Sequence, residues 1–69
     1  MTESEQARQG CDDSFKEGVQ KMVGVLLQDY VVAKTPAEKK KAAERFQAGL
    51  GICREAYQSA QQAINTVFA

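Results

Sequence analysis

A single proline, Pro36, stands near the middle of a 69-residue chain, in the run Thr35-Pro36-Ala37-Glu38. Thr suits the N-cap of a helix, Pro suits the first helical position, where no N–H is needed, and Glu at the third position can reach back to the cap. The run therefore predicts the start of a helix and a break in the chain just before it. Lys34 lies directly upstream, where a cation can neutralise the carbonyl end of a preceding helix. Residues 34 and 35 thus read as a tight connection between two helices. The expected fold is all-α, an antiparallel two-helix hairpin with helices over about 14–34 and 36–67.

Helix two carries the clearest pattern. Phe46, Leu50, Cys53, Tyr57, Ala60, Ile64 and Val67 follow alternating steps of four and three, an unbroken heptad seam that Ala43 extends backwards. Helix one begins either at Ser14-Phe15-Lys16-Glu17, a second capping box, or earlier, near residue 4. Residues 1–13 are accordingly either a disordered acidic segment or an extension of that helix. The core face of helix one is expected to be Phe15, Val19, Met22, Leu26, Tyr30 and Ala33, with an eleven-residue step from Phe15 to Leu26. Beside it runs a second stripe, Val23, Leu27 and Val31, which widens the apolar arc to nearly 180° at 100° per residue. One partner helix cannot cover such an arc.

Length makes a separate argument for a second chain. A domain of this size buries only about 60% of its unfolded surface, so it needs a disulfide, a metal or a partner chain to be stable. Folding back at residues 34 and 35 places residues whose numbers sum to roughly 69 at one level, with Leu50 near Val19 and Phe46 near Met22. Tyr57, Ile64, Val67 and Phe68 then fall opposite a stretch whose apolar residues are Met1, Ala7 and Cys11. The self-association interface is expected to comprise Val23, Leu27, Val31, Tyr57, Ile64, Val67 and Phe68. A homodimer of hairpins, packed as a four-helix bundle, would bury them.

Charge suggests an orientation. The chain is neutral overall, with nine basic and nine acidic residues. Residues 34–45 nevertheless hold five basic side chains against two acidic, and residues 1–17 hold five acidic against two basic. Antiparallel pairing of two copies would set the basic turn end of each against the acidic open end of the other.

Other features carry less chemistry. Lys39, Lys40, Lys41 and Arg45 form a basic patch that could meet an acidic partner; cations in the first turns of a helix oppose its dipole. With no interleaved aromatic residue and zero net charge, the patch suits at most weak, salt-sensitive nucleic-acid binding. Gly18, Gly24, Gly49 and Gly51 fall inside expected helices; Gly18 and Gly49 suit close approach of the two backbones, whereas Gly49-Leu50-Gly51 would suit a kink. Cys53 reads as a small core hydrophobe and Cys11 as an exposed thiol open to an intermolecular bridge. Val25 and Ile52 are solvent-side apolar residues able to anchor a partner protein.

With no His and two distant cysteines, the chain offers neither a tetrahedral metal site nor a base for a cysteine nucleophile. No phosphate loop or serine nucleophile motif occurs, and Asp12-Asp13 reads as helix-start chemistry, so no catalytic residue, cofactor or metal is expected. Apolar runs such as Val25-Leu26-Leu27 are far below the roughly 18 residues of a membrane span. The polar start Met1-Thr2-Glu3-Ser4-Glu5-Gln6 lacks the character of a secretory signal, which makes a cytoplasmic location with reduced thiols the expectation.

The hairpin architecture resembles the small hairpin proteins of bacterial secretion systems, needle subunits and their co-chaperones, although no motif matches residue by residue. Two roles follow as expectations. The first is a non-enzymatic interaction module that self-associates and serves as adaptor, small chaperone or regulator. The alternative is a structural subunit of a repeating or filamentous assembly, with a small nucleic-acid-binding regulator behind both.

Overall fold

A computed structural model describes residues 2–69 as two long helices, α1 (Glu3–Val32) and α2 (Pro36–Val67), folded back on each other. The hairpin is a flat strip of 51 × 18 × 7 Å. Its second helix begins where the proline motif places it. Thr35 Oγ1 accepts the Glu38 N–H at 3.2 Å, and Pro36 fills the first turn. Glu38 reaches back one residue further than a capping box requires: its carboxylate accepts the Lys34 N–H at 3.0 Å. The turn is thus pinned from both sides of the cap.

Of the two starts considered for the first helix, α1 uses one beyond the earlier. Thr2 caps it through the Glu5 N–H at 3.2 Å, with Glu3 and Glu5 in the first turn, where carboxylates favour the positive end of the helix dipole. Ser14 therefore lies inside the helix. Residues 3–13 run alongside the far half of α2 and lend it Ala7 and Cys11, while Met1 lies outside the described residues.

The two helices mesh with different periods. The α2 side chains turned toward α1 keep the heptad from Phe46 through Leu50, Cys53, Tyr57 and Ala60 to Ile64. On α1 and its C-cap the half-buried positions are Ser4, Ala7, Cys11, Phe15, Gly18, Met22, Leu26, Asp29 and Ala33, whose steps of three, four and four repeat every eleven residues; Val19 adjoins them. That period explains why Tyr30, expected in the core, stands exposed: three residues after Leu26 the inward position falls on Asp29. Asp29 meets Arg45 there at 3.4 Å.

Facing residues set the register. Phe15 stacks on Tyr57 with ring centroids 4.7 Å apart, and the Cys53 thiol lies 3.8 Å from Met22 Sδ. Near the open end Arg8 donates to Asn65 Oδ1 at 3.3 Å. Numbers of such partners sum to about 72, a few residues beyond the expected 69. Gly49 sits where Met22 crosses: a Cβ there would come within 2.8 Å of Met22 Sδ. α2 runs helical through residues 49–51, so Gly49-Leu50-Gly51 does not divide it.

Candidate interaction surfaces

The strip has two broad faces, and both are more apolar than a protein exterior needs to be. Among the described residues the only fully buried hydrophobic side chain is Ala42, at 1% exposure. Large apolar residues that would fill a core elsewhere stand in solvent here, Leu27 at 62% and Val31 at 85%. Two helices meeting along a single seam leave every other stripe uncovered.

On one face, a groove of about 570 Å³ runs between the helices toward the open end. Its floor is Phe15, Cys11, Cys53, Tyr57 and Ile64, and its walls are the small residues Ala7, Gly10, Ser14, Ala56 and Ala60. Val25 lies on the same meridian of α1 as Ser14, eleven residues and three turns further on, and is 57% exposed. Ile52 stands one turn before Ala56 on α2 and is 67% exposed. This face therefore combines a small-walled hollow near the open end with projecting branched side chains toward the turn.

The opposite face of α1 changes character along its length. Asp12, Lys16 and Gln20 line it near the open end. Eleven residues on, the same three meridians carry Val23, Leu27 and Val31. The apolar stripe is thus confined to the half of the hairpin nearest the turn.

The remaining interface candidates divide. Tyr57 and Ile64 are half-buried against α1 within the same chain, because residues 3–13 are helical and lie over them. Val67 and Phe68 stay exposed at the end of α2. Lys39, Lys40 and Lys41 face solvent around the first turns of α2, while Arg45 is drawn toward Asp29. The Tyr57 hydroxyl donates to the Asp12 carboxylate. That hydrogen bond, with partial burial and the neighbouring negative charge, raises the Tyr57 pKa above its ordinary value of 10.0.

Cys11 is half-buried on the groove floor rather than exposed, with its thiol 4.0 Å from the Tyr57 carbonyl oxygen, and both cysteines are free. Among the described residues no group of three or more His, Cys, Asp or Glu side chains could hold a metal ion, and no helix is long and apolar enough to cross a membrane. The sequence pointed to the Val23 stripe and to Val25 and Ile52 individually. It did not disclose the groove, since its walls come from Ala, Gly and Ser, residues without hydrophobic periodicity of their own. No protein-family model, curated protein or solved structure matches the chain.

Proposed function

We propose that this chain is a non-enzymatic helical-hairpin module for protein–protein interaction, an adaptor, small chaperone or regulator, that first associates with a second copy of itself. Surface area carries the reading. A compact monomer of this mass, 7.6 kDa, would expose about 4,300 Å², whereas the hairpin exposes 5445 Å². The excess, about 1,100 Å², is larger than the roughly 800 Å² that one partner contributes to a standard interface. The radius of gyration points the same way: 15.9 Å, against about 11 Å for a compact domain of this length.

Two hairpins stacked face to face make a four-helix bundle and supply the missing core layer. Exposed apolar side chains on both faces, Val23, Leu27 and Val31 on one and Val25 and Ile52 on the other, are available for it, with Val67 and Phe68 at the end of α2. The Lys39, Lys40, Lys41 and Arg45 cluster suits an acidic counterpart, which the open end of a second copy offers.

Sedimentation velocity over a wide concentration range tests the reading. The expected result is one species at twice the 7.6 kDa chain mass. A compact monomer at high concentration would contradict it, and growth without limit would assign the chain to a repeating assembly instead.

A further inference from the structure

The proposal here rests on self-association and concerns which face is used and in which direction. The groove of α1 and α2 is lined in a pattern that coiled coils use to receive side chains. Ala7, Gly10, Cys11 and Ser14 stand at i, i+3, i+4 and i+7 on α1, the four corners of a hole for one knob. On α2 the exposed wall of the groove is the small residue Ala56, because Cys53, Tyr57 and Ala60 turn toward α1. The hole on α1 and the Ala56 wall of α2 lie on one face, and that face also presents two unseated branched side chains, Val25 on α1 and Ile52 on α2.

We infer that two copies pair through this face in antiparallel fashion, α1 on α1 and α2 on α2, with Val25 of each copy filling the α1 hole of the other and Ile52 packing over the other's Ala56. The geometry over-determines the fit. Val25 in a hole centred between Gly10 and Cys11 puts the two-fold axis near residue 18 of α1, and Ile52 packed over Ala56 puts it near residue 54 of α2. Within one hairpin, residues 18 and 54 lie at about the same level, since facing residues sum to about 72, as Phe15 and Tyr57 do. One axis therefore seats both side chains, and it passes close to the middle of the strip, so the helices overlap along nearly their full length.

The opposite face fails the same test. An axis at that level would set Val23 against Asp12 and Leu27 against Arg8 of the second copy, apolar against charged. Direction is favoured by charge as well. Antiparallel pairing sets the basic segment 34–45 of one copy level with the acidic segment 1–17 of the other, diagonally across the bundle, where parallel pairing would bring like ends level.

Disulfide trapping tests the orientation. In a Cys11→Ala/Cys53→Ala background, first checked for unchanged mass in solution, Gly10→Cys and Val25→Cys are introduced together and separately. Within one chain these positions are about 22 Å apart along α1, so a bridge between them joins two chains. A Cβ at residue 10 meets open space, so the substitution fits the fold. Oxidation is expected to give a covalent dimer for the double variant and not for either single variant. Ile52→Ser is expected to raise the dimer dissociation constant at least about tenfold, with Leu27→Ser leaving it nearly unchanged. A dimer by mass that the double variant does not trap, or one weakened by Leu27→Ser and untouched by Ile52→Ser, would overturn the assignment of this face while leaving self-association intact. A monomer in solution would remove both.

Discussion

Single residues decide how the hairpin is pinned. The Thr35-Pro36-Ala37-Glu38 motif was legible because each of its members has a local role that needs no partner helix: a cap, a fixed φ and a returning carboxylate. Tyr30 was not legible, because whether it faces inward depends on a drift of the seam that only the pairing with α2 reveals. Tyr57 is the residue with the clearest chemical signature. Its hydroxyl hydrogen bond to Asp12 holds the phenol proton more firmly in the folded chain than in the unfolded one. Folding stability from this source is complete below about pH 10 and is lost as pH rises through the raised folded value. Tyr57→Phe should therefore give a flatter decline of stability between about pH 9 and 11 than the parent chain, measured by urea unfolding at each pH. Equal slopes would mean that the Asp12 contact does not persist in solution.

Within the elements, α2 was readable almost to its ends from a heptad of large side chains, and α1 was not. The first three turns of α1 bury Ala7 and Cys11 rather than Leu or Ile, and a helix whose contact stripe is made of small residues leaves little hydrophobic signal. The Ser14-Phe15-Lys16-Glu17 run imitates a helix start closely enough to compete with the true one at Thr2. Glycine placement gives a second test of the elements. Gly24 and Gly51 lie mid-helix, and an added Cβ at either meets nothing within 4 Å. Gly24→Ala and Gly51→Ala should each raise stability by roughly 0.5–1 kcal/mol in chemical denaturation. Gly49→Ala should gain less, since Met22 has to move aside. Equal gains at all three positions would mean that Met22 does not cross α2 at Gly49.

At the scale of the whole molecule, the chain is a thin layer rather than a domain with an interior. The need for extra burial was legible in the sequence from length and from an apolar arc too wide for one partner helix. Where that burial falls was not, because Tyr57 and Ile64 are half-covered within the chain while Val25 and Ile52, unremarkable as isolated positions, share a face with a groove that exists only when the two helices are side by side. If the second layer comes from another copy, folding and association are one equilibrium, and stability depends on protein concentration. Thermal unfolding followed by circular dichroism across a hundredfold range of concentration measures this directly. The account predicts a melting temperature that climbs by roughly 10 °C over that range; a melting temperature independent of concentration would contradict it.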